Sequence, residues 1–148
     1  MKNLISSLFV LTIFLSNTQF AQEKNVKAET PRDGVFIHIT ESYDNPHRIL
    51  MPLKMATIMA KDKDVLIYMD IEAVKILVKG ALDITHSEFE SAHTYIKQLS
   101  SMGVGIHACP TCLKVAGYKS EDLMAGIIIA NKDKFFDFTK GRIISLDY

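Results

Sequence analysis

Two short apolar runs separated by a helical pattern constrain the fold of this chain more than any other feature. Residues 35–39 and 65–69 are rich in β-branched and aromatic side chains, as expected of strands buried on both faces. Between them, apolar residues recur every three or four positions, which predicts an amphipathic helix that ends near Lys61. A strand–helix–strand unit of this kind favours parallel strands and a right-handed crossover.

The alternation of strands and helices continues along the rest of the chain. Ser87 with Glu90 three residues later predicts a capped helix start, and the helix should run to about Ser100. Residues 72–79 fit a strand or a short helix. The other predicted elements are strands over residues 102–107, 127–129 and 142–145, and helices from about Pro110 and over residues 132–138. We therefore predict one α/β domain, a three-layer α/β/α sandwich with a mostly parallel sheet of about five strands.

The N-terminus has the pattern of a secretory signal peptide. Lys2 precedes an apolar run over residues 4–15, and polar residues follow it. The run is shorter than the roughly 20 residues that span a bilayer, although an uncleaved anchor is the alternative. We predict a signal peptide over residues 1–21, a flexible polar leader over residues 22–32 and a folded domain over residues 33–148. The mature protein should be periplasmic or secreted, with no stable membrane anchor after cleavage.

Composition argues against several classes of function. The 17 Lys and Arg residues equal the 17 Asp and Glu residues, so no net positive field exists to bind nucleic acid. The sequence has neither a Gly-rich phosphate loop nor a Ser-His-Asp pattern, and we predict no cofactor. His38, Asp70 and His107 follow or end predicted strands and could meet at one edge of the sheet, although a lone His is more often a structural residue.

Cys109 and Cys112 are the strongest candidates for chemistry. They follow the predicted strand that ends at His107, and the next helix begins at Pro110 between them. Cysteines at helix N-termini or in a Cys-x-x-Cys pair have lowered thiol pKa values, and the thiolate is the nucleophile. Both residues are therefore predicted to be catalytic.

The same pair allows three other interpretations. An oxidising compartment would favour a static disulfide, although so short a loop contributes little stability. A soft metal ion could be held by His107, Cys109 and Cys112, with His86 or His93 completing the ligand set. The pair could also exchange reversibly between dithiol and disulfide.

Around these cysteines the sequence resembles the DsrE-like family of sulfur-relay proteins, which includes subunits of the DsrEFH and TusBCD assemblies. The resemblance covers about the whole mature domain. Its less specific part is the opening strand with Thr40 and the helix after Asn45. Its specific part comprises the segment Cys109-Pro-Thr-Cys112-Leu-Lys together with Gly117, Tyr118, Glu121, Asp122, Leu123 and Gly126.

The resemblance implies both an assembly and a chemistry. Members of the family form three-layer domains that associate into trimers or hexamers, and a reactive cysteine carries sulfur as a persulfide. By resemblance, Cys112, or else Cys109, would take sulfur from a donor and pass it to an acceptor thiol protein or a small thiol. The neighbouring cysteine would release the sulfur by closing a disulfide. The signal peptide departs from the best-known relays, which act in the cytoplasm.

Overall fold

The computed structural model describes residues 30–148, so the predicted signal peptide and most of the predicted leader lie outside the described residues. Five strands form one sheet: β1 Gly34–Ile39, β2 Asp64–Met69, β3 Gly105–Ala108, β4 Ile127–Ile129 and β5 Ile143–Asp147. Their order is β4-β3-β2-β1-β5, and every neighbouring pair is parallel. The α/β fold class with a five-stranded sheet is therefore confirmed.

Three α-helices connect the strands: α1 Pro46–Met59, α2 Ala92–Ser101 and α3 Pro110–Val115. The steps from β1 to β2, from β2 to β3 and from β3 to β4 all run in one direction across the sheet. Right-handed crossovers therefore place all three helices on one face, and the return from β4 to β5 crosses the other. We call the first of these the helical face.

The helical face contains the aliphatic core. The strand register aligns Ile37 with Ile67 and Ile67 with Ile106, and all three are fully buried. Helix α1 packs Leu50 and Leu53 into the same cluster. The period-two geometry of strands directs the intervening residues to the opposite side.

The opposite side, which we call the aromatic face, carries Phe36, His38, Tyr68 and His107 at alternate strand positions. Residues 130–142, between β4 and β5, lie over this face and are called the covering segment. They contribute Phe135, whose ring contacts the rings of Phe36, Tyr68 and His107. This layer is thinner than the predicted sandwich suggests, because its regular structure is a single 3-10 turn at Lys132–Lys134.

Two predicted helices differ from the structure. The cap at Ser87 is wrong: Ser87 has a φ of +38°, and Ser91 caps α2 by accepting a hydrogen bond from the Thr94 N–H at 3.2 Å. The helix over residues 132–138 is also wrong. There the Asn131 side chain accepts the N–H of Asp133 at 2.9 Å, and this local bond favours a turn over a continuing helix.

The remaining connections are short. The open segment 72–79 contains a 3-10 helix at Ala73–Leu77, and a second lies at Ser120–Asp122. Strand β3 begins three residues later than predicted because Gly103, with a φ of +79°, ends α2 in a turn. Arg32, at the end of the predicted leader, donates hydrogen bonds to the carbonyls of Ala60 and Lys63. No helix in residues 30–148 is long and apolar enough to cross a membrane.

Candidate functional site

The two cysteines lie at the edge of the sheet where the parallel strands end. The Cys109 N–H donates to the carbonyl of Met69 at 3.0 Å, which extends the pairing of β3 with β2 by one residue. Cys109 is the N-cap of α3, Pro110 is its first residue, and Cys112 lies in its first turn. Both cysteines are free thiols of intermediate exposure, so solvent and small reactants can reach this edge.

The Cys109 sulfur accepts a hydrogen bond from the first turn of α3. The Cys112 N–H donates to it at 3.5 Å. Burial raises the pKa of the Cys109 thiol, but hydrogen bonds from the Tyr68 side chain, from Cys112 and from the Thr111 backbone outweigh burial and bring the pKa below its ordinary value. Because the thiolate is the nucleophilic form of cysteine, this environment favours Cys109 as the attacking group.

Cys112 has the opposite electrostatic environment. Burial raises the pKa of its thiol, and the neighbouring Cys109 and Asp70 raise it further. The one large opposing effect is a hydrogen bond from the backbone N–H of Ile71. Ile71 has a φ of +47°, which is rare for a β-branched residue. The pair is thus asymmetric, with one thiol biased toward the thiolate and its neighbour toward the protonated form.

Tyr68 links the cysteines to the aromatic face. Burial raises the pKa of its phenol, and so does its contact with Cys109, so the hydroxyl remains a donor at neutral pH. Its ring stacks on that of His38, with centroids 5.4 Å apart, and meets the Phe135 ring edge-on at 5.0 Å. Packing on both sides therefore holds the hydroxyl at the thiol edge of the sheet.

His38 connects three strands beside Tyr68. Its Nε2 lies 2.9 Å from Asp70 Oδ1, and its Nδ1 lies 3.1 Å from Asp147 Oδ1. Asp70 follows β2 and Asp147 is the last residue of β5, so the imidazole spans the ends of β2, β1 and β5. Carboxylates on both nitrogens fix the plane of the ring on which Tyr68 stacks.

A protein-family model described as the DsrE/DsrF-like family matches residues 33–141 of this chain. The chain belongs to the DsrE/DsrF-like family. That family is generally linked to sulfur relay and generally works with partner sulfur-relay proteins. The match spans β1 to β4, and so it includes both cysteines and Tyr68. Among curated proteins, none matches this chain.

Solved structures share the fold of this DsrE/DsrF-like protein. The ychN protein from E. coli superposes with a TM-score of 0.63 at 16% identity, over 78% of this chain and 99% of its own. A protein of unknown function from Bacteroides thetaiotaomicron, BT1422, gives 0.53 at 19% identity, over 77% and 95%. MTH1491 from Methanobacterium thermoautotrophicum, also of unknown function, gives 0.52 at 20% identity, over 76% and 98%.

The structure brings together most, but not all, of the residues singled out from the sequence. His38 and Asp70 do lie at the thiol edge, where His38 supports Tyr68. His107 does not join them: its side chain lies on the aromatic face against Phe135 and a separate cavity. The metal set of His107, Cys109 and Cys112 is not assembled, because no group of three His, Cys, Asp or Glu side chains within the described range is placed to hold an ion.

The site also includes residues that sequence analysis did not single out. The sequence pattern identifies Tyr68 only as a strand residue and gives no role to Asp147, and the backbone N–H of Ile71 has no signal in the residue type. One clue existed for Tyr68: it is the polar aromatic residue of β2, one position before the strand ends. The proximity of Tyr68 to Cys109 follows only from the strand register. Tyr68 pairs with His107 in β3, and this pairing places Tyr68 next to the segment that leads to Cys109.

Proposed function

We propose that this protein is a sulfur carrier in which Cys109 holds transferred sulfur as a persulfide and Cys112 assists its release. The family resemblance leaves both cysteines open with a preference for Cys112 as the carrier, whereas the environments of the two sulfurs favour Cys109. The observation that carries the proposal is the difference between the two thiols. The Cys112 N–H donates to the Cys109 sulfur at 3.5 Å, and with the nearby Tyr68 side chain it lowers the pKa of Cys109, whereas the pKa of Cys112 is raised.

Loading begins with the Cys109 thiolate and a donor persulfide, R–S–SH. The thiolate attacks the outer sulfur, the S–S bond of the donor breaks, and R–S⁻ leaves with the electron pair. Cys109 becomes Cys–S–SH, and no external oxidant is consumed. The donors that stabilise the thiolate lie beside the inner sulfur of the persulfide and keep it a good leaving group for the next step.

Unloading has two balanced routes. An acceptor thiolate can attack the outer sulfur, which transfers it and returns Cys109 as a thiolate. Alternatively, the Cys112 thiolate attacks the inner sulfur, HS⁻ leaves, and a Cys109–Cys112 disulfide forms; a small thiol or a dithiol protein then reduces this disulfide and is itself oxidised. The 3.5 Å contact between the Cys112 N–H and the Cys109 sulfur supports the second route, because it keeps the two residues adjacent.

Intact-mass analysis under non-reducing conditions tests this assignment. The full mature chain is exposed to inorganic polysulfide and compared with Cys109→Ser and Cys112→Ser. We expect the wild-type protein and Cys112→Ser to gain whole sulfur atoms that a reducing agent removes, and Cys109→Ser to gain none. Retention by Cys112→Ser should last longer than in the wild type, because the resolving thiol is missing.

Other outcomes would reject the proposal in specific ways. Loading that disappears only in Cys112→Ser would assign the carrier role to that residue. A wild-type mass fixed at two hydrogens below the reduced chain, unchanged by polysulfide or mild reductant, would identify a static disulfide. Loss of bound metal on chelation, with no sulfur gain, would identify a soft-metal site.

The setting of this chemistry is part of the same proposal. We propose that residues 1–21 direct export and are removed, which cell fractionation and the N-terminal mass of the mature protein would test. We further propose that the domain forms a homo-oligomer. Exposed apolar side chains on the outer strand β5, namely Ile143 and Ile144, support this proposal. Light scattering coupled to size-exclusion chromatography should give a mass of three or six chains.

A further inference from the structure

A cavity on the aromatic face is lined by neither of the two cysteines. It has a volume of about 480 Å³, within the usual range for small-molecule sites. It opens on the aromatic face where β2 and β3 begin, at Asp64 and Gly105, whereas the cysteines follow the ends of the strands. The segment between β4 and β5 closes one side, and neither cysteine lines the cavity.

His107 is the buried polar side chain among the residues that line this cavity. The residue is only 5% exposed, and its Nδ1 is buried with no hydrogen-bond partner in the described part of the chain. Its other nitrogen, Nε2, lies against Gly105: a Cβ built there would be 2.9 Å from it. A glycine at this position therefore makes room for the imidazole to reach the cavity wall.

The surroundings of His107 decide which nitrogen carries the proton. Burial lowers the pKa of the imidazole, so the neutral ring, with one N–H, is favoured at neutral pH. A buried N–H without an acceptor is rarer in proteins than an unused acceptor, which argues against a proton on Nδ1. Nε2 is then the donor, on a side chain that lines the cavity.

The rest of the wall describes the group that this donor would meet. Leu66, Ile128 and Phe138 give apolar walls. At the exposed rim, the Lys134 ammonium makes no hydrogen bond or ion pair within residues 30–148, whereas Arg32 is paired with Asp64 at 3.6 Å. The carboxylate of Asp137 also lines the cavity. A ligand with an apolar body and one anionic acceptor group would use all three features: the walls, the imidazole N–H and the free ammonium.

We propose that this cavity binds a small organic anion with an apolar body, such as an aromatic carboxylate, and that His107 and Lys134 hold its acceptor group. The site is independent of sulfur loading. Neither cysteine nor Tyr68 lines the cavity, although His107 lies two residues before Cys109 in the chain.

Titration of the mature chain with benzoate, followed by NMR of the histidine ring signals, tests the proposal. We expect saturable shifts of the His107 signals with benzoate, and shifts at least about tenfold weaker in apparent affinity with benzyl alcohol, which has the same ring without the charge. Lys134→Gln should weaken benzoate binding several-fold. Lys140→Gln removes a lysine from the same segment outside the cavity wall and should bind as the wild type does.

A second variant tests the wall itself. Gly105→Ala places a methyl group against Nε2, and we expect it to abolish the His107 shifts while the other backbone signals show a folded protein. Equal binding by the wild type, Lys134→Gln and Gly105→Ala, or no saturable shift at all, would overturn the proposal. Both variants should still take up sulfur from polysulfide, so a failure here is distinguishable from a failure of the carrier proposal.

Discussion

The two faces of the sheet come from the same strands but carry different side chains. The helical face is aliphatic: Ile37, Ile67 and Ile106 lie in register and are fully buried beneath α1 and α2. The aromatic face carries His38, Tyr68 and His107 at the alternate positions, beneath a short covering segment.

This difference separates stability from chemistry. Dense aliphatic packing on one face supplies the free energy that holds the strand ends in place, since burial of apolar surface dominates folding. Positions on the aromatic face can therefore hold side chains that form hydrogen bonds or titrate, such as the phenol of Tyr68 beside Cys109. Each of the following predictions tests whether a residue belongs to one role or the other.

The largest expected effect on stability is on the helical face. Ile67→Ala should lower the free energy of unfolding by about 2–5 kcal/mol, because it removes a fully buried side chain and leaves a cavity. Urea denaturation followed by circular dichroism measures this loss. If the variant were as stable as the wild type, the division of roles between the faces would be wrong.

The next largest effect is on the reactivity of Cys109, and it is expected from a substitution on the aromatic face at Tyr68, the residue after Ile67. Tyr68→Phe keeps the ring but removes the hydroxyl that lowers the pKa of Cys109, so the pKa of Cys109 should rise. Because a hydrogen bond to a charged group contributes about 1.5 kcal/mol or more, the rate of Cys109 alkylation by iodoacetamide at pH 7 should fall at least about tenfold.

The matched control for this variant is Tyr118→Phe. It removes a phenol hydroxyl that is not among the groups that lower the pKa of Cys109. The pH dependence of alkylation, read residue by residue by mass spectrometry, should be unchanged in the control. An unchanged profile in Tyr68→Phe would show that the backbone donors alone set the reactivity of Cys109.

A smaller effect on stability is expected at the edge of the helical layer. Ser91→Ala removes the side-chain acceptor that caps α2, and it should cost about 1 kcal/mol of unfolding free energy. Ser87→Ala is the companion variant, because the sequence pattern placed the cap there. A greater loss in Ser87→Ala than in Ser91→Ala would contradict the observed start of α2.

The smallest effect concerns pH and the aromatic face. Burial lowers the pKa of His107 in the folded chain, so the unfolded chain binds a proton more readily. This contribution to stability is fully present above the unfolded pKa of about 6.5 and decreases as the pH falls below it. Urea midpoints at pH 7.5 and 5.5 should therefore differ more in the wild type than in His107→Gln. Equal differences in the two proteins would show that His107 is not protected from protonation.

Local pattern was sufficient for much of the fold and for part of the site. The runs at residues 35–39 and 65–69 became β1 and β2, and the motif around Pro110 was correctly placed as a helix start after a strand. Errors fell where one short side-chain bond decides the outcome. The side chains of Ser91 and Asn131 each accept a hydrogen bond from a nearby backbone N–H. Other Ser, Thr, Asn and Asp residues close by can form the same kind of bond, so the sequence pattern does not select between them.

The sequence by itself determined the α/β architecture and pointed to the cysteine pair, because hydrophobic period and motif spacing are properties of neighbouring residues. Only the tertiary structure decided how the surroundings of the two thiols differ. That difference depends on Tyr68 from β2, with His38 from β1 behind it, meeting Cys109 after β3. Contacts between strand ends follow from the order and the register of the strands in the sheet. Packing between residues far apart in the chain sets both, so no short stretch of sequence reveals them.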